Sequence, residues 1–281
     1  MKVLLTGSTG FLGGYILANL NSFELFPYNR KKSDKVEWNN LHGVIHCAGL
    51  AHNSHNKKLK VLYYEANVQL TKDLIDHFID SPADFFIFIS TSTIYDNTPE
   101  KDNIDESSVG KDLSVYTESK LQAEQELLKI TKKKVFILRP SVIIGPNPKG
   151  NIRLLQKLVH TRFPIPIPYN SSPNNLTDIR NLTKVIEFIG TNFRELESGI
   201  YNVNDNLRPN IEEILKSISK TEGLQVKFIK LPNFIFQFGL KIISFVKPEI
   251  SKKLHSLFFE TVKISNRKIS KIVDLNYNSF Q

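Results

Sequence analysis

The sequence predicts an α/β fold, a Rossmann-type doubly wound parallel sheet with a smaller C-terminal lobe. Short apolar runs alternate with helical patterns through residue 146, as in parallel sheets with right-handed crossovers. A glycine-rich stretch, Thr6–Gly13, directly follows the first apolar run, Val3–Leu5. The run Phe85–Ser90 is continuously apolar, which indicates a strand covered on both faces.

The glycine-rich stretch reads TGSTGFLG. Gly7 permits a tight exit from the strand, Gly10 lets a phosphate approach the backbone, and Gly13 lets the next helix pack closely on the sheet. The predicted helix Phe11–Leu20 would point its free N–H groups at a pyrophosphate. The stretch therefore predicts dinucleotide binding rather than an ordinary strand–turn–helix unit.

The other elements of this half follow from composition and periodicity. Further strands are predicted at Phe23–Tyr28, Val36–Trp38 (stunted), Gly43–Ala48, Phe85–Ser90 and Val135–Leu138. One long amphipathic helix is predicted over Lys57–Asp80, stopped by Pro82, and a second from the capping residue Ser114 to about Lys129. The polar connection Thr91–Ser114 is long enough to suggest a functional loop.

Prolines punctuate the chain after residue 146, and the pattern changes there. Helices are predicted at Asn151–Val159, Asn181–Thr191 and Ile211–Lys220, and a strand at Gly199–Val203. We expect residues 1–146, with a return at about 179–205, to form the cofactor domain. Residues 147–178 and 206–281 would form the substrate-binding lobe.

Composition bounds the class of protein. The 281 residues are 41% hydrophobic and 23% charged, which is typical of a globular chain. A net charge of +9 suits anionic ligands, but the basic residues are scattered in short clusters, so no nucleic-acid partner is predicted. The single cysteine, Cys47, lies in an apolar run and indicates a buried structural thiol in a reducing compartment. No metal site and no signal peptide are predicted, and we expect a cytoplasmic protein.

The basic C-terminal third, especially Phe234–Phe259, leaves two interpretations open. Its apolar residues either close the substrate lobe or lie on an acidic membrane surface. We favour the first interpretation. The apolar stretch Phe234–Val246 is too short to span a bilayer.

Candidate catalytic residues lie on the helix that Ser114 caps. Tyr116 and Lys120 are four residues apart and therefore share one face of the helix. A neighbouring ammonium group favours phenolate, so Lys120 is expected to lower the pKa of Tyr116 and make it a usable acid or base. The same spacing in Tyr28 and Lys32 is taken as coincidence, because that pair follows a strand. Hydroxyl groups at the end of Phe85–Ser90 offer a third partner.

At this point the chain resembles the extended short-chain dehydrogenase/reductase family, in its nucleotide-sugar epimerase/dehydratase/reductase branch. The resemblance rests on TGSTGFLG, on HCAG at 46–49, on Asn67 within EANVQLT, on STSTIYD, on YTESK, on RPSVIIGP at 139–146 and on GIYNVND at 199–205. Aligning Ile94-Tyr95 with the family's Val-Tyr pair puts Thr91 at the catalytic Ser/Thr position. The stretch 145–168 further resembles bacterial surface-polysaccharide enzymes that act on UDP-N-acetylhexosamines and their 4-keto-6-deoxy derivatives.

The resemblance implies roles for particular residues. Thr91, Tyr116 and Lys120 would be catalytic. The implied cofactor-binding residues are Gly7, Ser8, Thr9, Gly10, Phe11, Leu12, Asn29, Arg30, Cys47, Ala48, Gly49, Asn67, Ser90, Tyr116, Lys120 and Pro140. The implied substrate-binding residues are Ser92, Thr93, Lys149, Asn151 and Arg153. The partner would be a UDP-linked sugar, and the protein a homodimer.

The chain departs from the family in two places. The family often has an arginine where Ser172–Asn175 stands, and usually an aspartate at Asn181. Contacts to the diphosphate of the substrate in this region are therefore in doubt.

Cofactor preference and reaction are linked. No carboxylate follows the second strand until Asp34, and the cluster Arg30–Lys32 suits a 2′-phosphate, which favours NADP(H) over NAD(H). This preference favours a 4-keto reductase of a UDP-(N-acetyl)-deoxyhexose. A UDP-N-acetylglucosamine or UDP-glucose 4-epimerase with retained NAD is the alternative, and a non-catalytic dinucleotide-sensing protein is a second one. Dehydration is not predicted, because Ser92-Thr93 stands where a dehydratase needs an acid pair.

Overall fold

A computed structural model describes residues 1–28, 36–50, 59–99, 102–146, 150–161, 163–259 and 262–275. Its main sheet has six parallel strands in the order β2-β1-β3-β4-β5-β9. They are β1 (Lys2–Thr6), β2 (Glu24–Pro27), β3 (Gly43–His46), β4 (Phe85–Ile89), β5 (Lys134–Pro140) and β9 (Gly199–Val203). The predicted α/β doubly wound fold is confirmed.

Helices cover both faces of this sheet. They are α1 (Phe11–Asn19), α2 (Lys60–Tyr63), α3 (Leu70–Asp80), α4 (Val115–Leu127), α6 (Ile179–Asn192) and α10 (Arg267–Ser270). Side chains alternate along each strand, so one face packs against α1 and α6 and the other against α3 and α4. On β4, for example, Ile87 faces the first core and Phe86 the second.

A smaller lobe forms around a third core. Its elements are β6 (Val142–Ile144), α5 (Gly150–His160), β7 (Ile165–Pro168), β8 (Leu176–Asp178), α7 (Ile211–Thr221), β10 (Phe228–Leu231), α8 (Asn233–Val246) and α9 (Pro248–Phe259). β6 pairs with β8 and β7 with β10, each in parallel. The apolar sides of α5, α7, α8 and α9 meet in this core. The exact division of the chain into two domains stays a prediction.

The predicted stunted strand at Val36–Trp38 is wrong. The chain forms a 3-10 turn at Trp38–Asn40 instead. β2 is the edge strand of the sheet, and no described residue pairs with its outer edge. Trp38 stacks on His77 of α3, with ring centroids 5.2 Å apart. Its apolar character therefore reflects packing on a helix.

The long helix predicted over Lys57–Asp80 is interrupted. Between α2 and α3, residues Tyr64–Gln69 form a π-helical segment. The helix ends at Asp80, next to Pro82 as predicted, while Lys57 lies outside the described residues. π-Helical segments are rare and frequently occur at functional sites. This one contains Asn67.

The connection predicted as a long polar loop, Thr91–Ser114, has some structure. It begins with a 3-10 turn, Ser92–Tyr95, and Ile104 forms a bridge to Ile264. Ser114 caps α4 as predicted, since its Oγ accepts a hydrogen bond of 3.2 Å from the N–H of Thr117. These contacts hold the connection in place on both sides and so fix the position at which α4 begins.

Candidate active site

The site lies where the strand order reverses, at the carboxyl ends of β1, β3 and β4. Open parallel sheets bind ligands at this switch point. Gly7 has φ +72°, and a Cβ there would lie 2.6 Å from the backbone nitrogen of Ala48. The glycine loop after β1 is therefore in close contact with the loop after β3. These are two of the predicted cofactor-binding segments.

The glycine loop fits a dinucleotide phosphate. Gly10 is the N-cap of α1, and no side chain caps that end. A Cβ on Gly13 would overlap the carbonyl group of Gly7, so the close helix packing that was predicted is present. The first N–H groups of α1 are open to an anion. Ser8, Thr9 and Phe11 lie in or beside this turn, whereas Leu12 is buried in the core.

A buried hydroxyl group at the end of β4 also fits a ligand. Ser90 is 4% exposed, and its Oγ has no hydrogen-bond partner among the described residues. Its backbone N–H donates a hydrogen bond of 2.7 Å to the carbonyl oxygen of Leu138 on β5. A buried polar atom without a partner calls for an explanation, and a bound ligand is one. Pro140, also predicted at the cofactor site, is buried at the end of β5.

The three predicted catalytic residues meet at this edge. Thr91 lies two residues after the end of β4, close enough to Tyr116 on α4 for its side chain to lower the pKa of the phenol by hydrogen bonding. Lys120, one turn further along α4, is 4% exposed, and its Nζ lies 4.0 Å from the ring centroid of Phe88 on β4. Glycine is needed at 49 in this environment, because a Cβ there would lie 2.7 Å from Asn67 Oδ1 and 3.8 Å from Lys120 Nζ.

The electrostatics differ from the expectation for Tyr116. Burial raises the pKa of Tyr116 to about 12, and the hydrogen bond with Thr91 offsets only part of this effect. Burial also lowers the pKa of Lys120 to about 8, against a smaller raising effect of Glu124. The predicted lowering of the phenol pKa by Lys120 is therefore wrong for this structure, because desolvation of the phenolate is the largest effect and Lys120 is not among the groups that shift this pKa.

A line of hydroxyl groups supports Thr91. Thr91 Oγ1 lies 3.1 Å from Thr93 Oγ1, which lies 2.9 Å from Thr117 Oγ1. Thr117 Oγ1 in turn lies 2.9 Å from the capping oxygen of Ser114. The line joins the end of β4 to the start of α4 and orients Thr91 toward Tyr116. No pattern in the sequence predicts this role for Thr117, which stands inside YTESK.

A second network holds the loop after β3. Asn67 Oδ1 accepts from the N–H of Leu50 at 2.7 Å, and Asn67 Nδ2 donates to Ser119 Oγ at 2.7 Å. Ser119 Oγ donates to the carbonyl oxygen of Tyr116 at 2.7 Å. Asn67 thus connects the loop at Gly49 to the Tyr-Lys helix. Its predicted place at the site is consistent with this geometry.

His46, at the end of β3, connects Thr6 of β1 to Thr71 of α3 by hydrogen bonds. Thr71 Oγ1 donates to the carbonyl oxygen of Asn67 at 2.6 Å, so it accepts from Nε2–H of His46 at 2.9 Å. Nδ1 of His46 then accepts from Thr6 Oγ1 at 2.6 Å. Burial lowers the pKa of His46 well below its usual value, which keeps the ring neutral. No pattern in the sequence predicts a role for this histidine, which stands inside HCAG.

Cys47 is half-buried beside Lys120. Burial raises the pKa of its thiol to about 12, so the group stays protonated at neutral pH. The thiol is not a nucleophile in this environment. The predicted structural character of Cys47 is consistent with this chemistry. The next residue, Ala48, is held by a hydrogen bond of 3.0 Å from its N–H to Thr6 Oγ1.

The predicted substrate-binding residues are only partly brought together. Ser92 and Thr93 are half-buried in the turn after Thr91, whereas Arg153 is exposed on α5. Lys149, together with the cofactor residues Asn29 and Arg30 and the cluster Arg30–Lys32, lies outside the described residues, and so does the side chain of Asn151.

The asparagines that replace family residues have structural partners. Asn175 donates to the carbonyl oxygen of Val262 at 2.5 Å, and Asn174 donates to that of Leu257 at 3.4 Å. Asn181 donates to Asp205 Oδ1 at 2.7 Å. Burial raises the pKa of Asp205 to about 6. These side chains connect strands and lobes in the places where the family resemblance led us to expect charged groups.

Comparison with known proteins gives relatives at low identity. A "UDP-glucose 4-epimerase" of Vibrio cholerae is 28% identical over 230 residues, covering 68% of this chain and 66% of the relative. An "N-acetyl-alpha-D-glucosaminyl-diphospho-ditrans,octacis-undecaprenol 4-epimerase" of Escherichia coli O157:H7 is 25% identical over 179 residues, covering 61% and 52%. The matches thus span between about half and two thirds of these relatives.

Among solved structures, RMD from Pseudomonas aeruginosa complexed with NADPH superposes with a TM-score of 0.74 at 17% identity. The match covers 100% of this chain and 96% of that one. At this identity the likeness shows the fold. The NAD dependent epimerase/dehydratase family matches residues 28–203, which is more than half of the chain. With its parallel sheet, glycine loop and Tyr-Lys helix, this chain belongs to the NAD dependent epimerase/dehydratase family.

Proposed function

We propose that this protein reduces the 4-keto group of a UDP-linked N-acetyl-deoxyhexose with NADPH, in the assembly of a surface polysaccharide. The observation that carries the proposal is the contact of Thr91 with Tyr116 next to Lys120, at the strand end that faces the glycine loop. A carbonyl carbon held there would lie beside the nicotinamide. The dinucleotide fits the open N-terminus of α1 and the unpartnered Ser90 hydroxyl.

Each residue has a defined task in this reaction. When bound, NADPH would supply a hydride to C4 of the sugar. Thr91 donates a hydrogen bond to the carbonyl oxygen and polarises it. Tyr116 gives its proton to that oxygen as the alcohol forms, and the resulting phenolate is reprotonated from solvent. Lys120, by resemblance, holds the ribose of the cofactor and stabilises the transient phenolate.

The protonation states suit the transfer of a proton to a carbonyl oxygen, a step that reduction and 4-epimerisation share. A Tyr116 pKa of about 12 means that the phenol carries its proton at neutral pH. The protonated form is the one that donates to a carbonyl oxygen. A Lys120 pKa of about 8 leaves most of this ammonium charged at pH 7. The site is thus set for donation of a proton before any charge develops on the substrate.

A 4-epimerase that retains NAD is the second candidate. The names of the Vibrio cholerae and Escherichia coli relatives favour it, and the second name describes a sugar carried on a polyprenyl diphosphate. The sequence between Tyr28 and Asp34 favours the reductase, because it is cationic where NAD binding calls for an acid. In both reactions the same three side chains act on C4.

Replacing Tyr116 tests the shared mechanism. Tyr116→Phe removes the proton donor while keeping the ring, so turnover of a UDP-4-keto-6-deoxy-N-acetylhexosamine should fall by at least about a hundredfold. Binding of NADPH, followed by nicotinamide fluorescence, should stay within about twofold. Tyr64→Phe, an exposed phenol on the neighbouring helical segment, is the matched control. Unchanged turnover in Tyr116→Phe would remove the mechanism.

The state of the purified protein separates the two candidates. Protein free of nucleotide that prefers NADPH to NADH in titration supports a reductase, because a reductase exchanges its cofactor in each turnover. Tightly retained NAD, released only on denaturation, supports the epimerase. Charge reversal by Arg30→Glu with Lys31→Glu should remove a preference for NADPH. A preference unaffected by these changes would contradict the role given to the cationic cluster.

A further inference from the structure

Helix α8 is apolar on two opposite sides. Phe236 and Leu240 point into the core of the smaller lobe, and the ring of Phe236 lies 4.7 Å from that of Phe258 on α9. The opposite side is exposed to solvent. Its large apolar residues, here called the outer face of α8, are Phe234, Ile235, Phe238, Ile242, Phe245 and Val246. Only the first side is needed to hold the helix on the lobe.

The outer face is continuous along the helix. Its members recur at spacings of three and four residues, so they form one stripe over all 14 residues of α8, about 21 Å long. Phe245 is 79% exposed, Phe234 73% and Phe238 65%. Single exposed apolar residues are ordinary, but a contiguous stripe with three phenylalanines marks an interaction surface.

The charged residues that flank the outer face along the chain are lysines. From Gly223 to Pro248 the sequence contains four lysines, at 227, 230, 241 and 247, and no acidic residue. Lys241 and Lys247 are exposed on and just after α8. Lys230 pairs with Glu212 of α7 at 3.1 Å. The nearest acids along the chain are Glu222 and Glu249, outside this stretch.

Phenylalanines and aliphatic side chains bordered by lysines match one partner chemistry in particular. Helices of this kind lie in the headgroup region of a bilayer, with the apolar face in the acyl chains and lysines on anionic lipids. Among the described residues, no helix is both long and apolar enough to cross a membrane. Contact in the plane of the surface is therefore the mode that fits α8.

We infer that the outer face of α8 docks this protein on an anionic membrane surface. The helix is held on the lobe by its buried side and by contacts at its start, where Asn170 donates its N–H to Asn233 Oδ1 at 3.3 Å. Docking would bring the smaller lobe against the membrane and would leave the Tyr-Lys site unaltered. The inference is independent of whether the enzyme is a reductase or an epimerase.

Flotation with lipid vesicles tests the inference. At low salt the full-length protein should float with vesicles of phosphatidylcholine mixed with phosphatidylglycerol, and several-fold less with phosphatidylcholine alone. Phe234→Ser with Phe238→Ser and Phe245→Ser should lower the floated fraction at least about tenfold. Lys241→Glu with Lys247→Glu, which keeps the apolar stripe, should lower it about tenfold or more on anionic vesicles.

The matched control is Leu17→Ser with Val61→Ser and Leu62→Ser, three exposed apolar residues on other helices. It should float like the wild type, and circular dichroism should report native helix content in all variants. Absence from the lipid fraction at low salt overturns the inference, as does flotation by the triple phenylalanine variant. The wild type could instead be a dimer in light scattering that does not float, and the triple phenylalanine variant a monomer. That result would assign the outer face of α8 to contact with a second copy and would also overturn the inference.

Discussion

Lys120 is a buried cation whose charge costs stability. Its pKa in the folded protein is about 8, below the ordinary value of 10.5. The unfolded chain therefore binds more protons between these values, and this group makes stability rise as pH increases from about 8 to 10.5. Below about pH 8 the full cost applies, about 3 kcal/mol. In our proposal this cost is offset by the role of Lys120 in the reaction.

Lys120→Met should remove that cost. We expect the variant to be more stable than the wild type by about 2–3 kcal/mol at pH 7 in urea unfolding, with the difference vanishing above about pH 10.5. Turnover should fall at least about a hundredfold. Lys129→Met, an exposed lysine just after α4, should change stability by less than about 0.5 kcal/mol. Equal stability of Lys120→Met and wild type at pH 7 would contradict the cost assigned to the charge.

Thr93 forms a hydrogen bond with Thr91, and we propose that it positions the Thr91 hydroxyl group in addition to the substrate contact that the resemblance implies. Thr93→Val removes its hydrogen bonds to Thr91 and Thr117, and we expect kcat to fall about tenfold with the affinity for NADPH unchanged. Thr93→Ser keeps the hydroxyl and should restore most of the rate. The kcat and KM of both variants measure this effect. A wild-type rate in Thr93→Val would contradict the role given to the hydroxyl group, and so would a loss in Thr93→Ser as large as that in Thr93→Val.

At the level of elements, a buried ion pair joins β5 to α4. Arg139 donates from Nη2 to Glu124 Oε2 at 2.6 Å and from Nε to Oε1 at 3.0 Å, and both residues are almost fully buried. Arg139 also donates to Tyr95 at 2.9 Å, in the turn after Thr91. The pair thereby fixes the helix that carries Tyr116 against the strand ends.

Breaking this pair should be costly. Arg139→Met leaves Glu124 buried and uncompensated, so the free energy of unfolding should fall by about 3–5 kcal/mol. Adding Glu124→Leu should recover much of the loss, since the remaining apolar side chains need no partner. A double-mutant cycle in urea measures this. If the double variant were no more stable than Arg139→Met, the uncompensated charge would not be the cause.

Local signals predicted the elements well where the chain has one dominant periodicity. The strand in Phe85–Ser90, the cap at Ser114 and the helix at Ile211–Lys220 all follow from side-chain pattern, and the structure confirms them within a few residues. The π-helical segment at Tyr64–Gln69 has no such signal, because its apolar spacing is that of an ordinary helix. The apolar residues near Trp38 predict a strand, because the packing of Trp38 on α3 is a tertiary contact that leaves no local pattern.

The site could be predicted because its residues stand at strand ends or four apart on one helix. Thr91 comes from a different part of the chain than the helix that carries Tyr116 and Lys120, and the tertiary fold brings the two parts together. The pKa of Tyr116 could not be predicted, because it depends on how deeply the phenol is buried. The same holds for the His46 network, whose partners are 25 and 40 residues away.

At the scale of the whole molecule, the C-terminal segment returns from the smaller lobe to the main sheet. Lys268 Nζ donates to the carbonyl oxygen of Ile200 on β9 at 2.8 Å, and Ile264 bridges to Ile104. Ile269, Val273 and Leu275 then enter the first core beside α6. The segment thus contributes to the stability of the cofactor domain, although it follows the smaller lobe in sequence.

Truncating Ile269 tests this contribution. Ile269 is fully buried, so Ile269→Ala should lower the free energy of unfolding by about 2–5 kcal/mol, and Ile269→Val by about 0.5–1.5 kcal/mol. Trp38, the single tryptophan, stacks on His77 in the cofactor domain, so its fluorescence follows that domain alone. If the segment is part of this core, the fluorescence transition of Ile269→Ala should have its midpoint at a lower urea concentration than that of the wild type. The midpoint could instead shift in circular dichroism but not in Trp38 fluorescence. That result would confine the effect of Ile269 to the smaller lobe, because only a residue coupled to the six-stranded sheet can change the unfolding of that sheet.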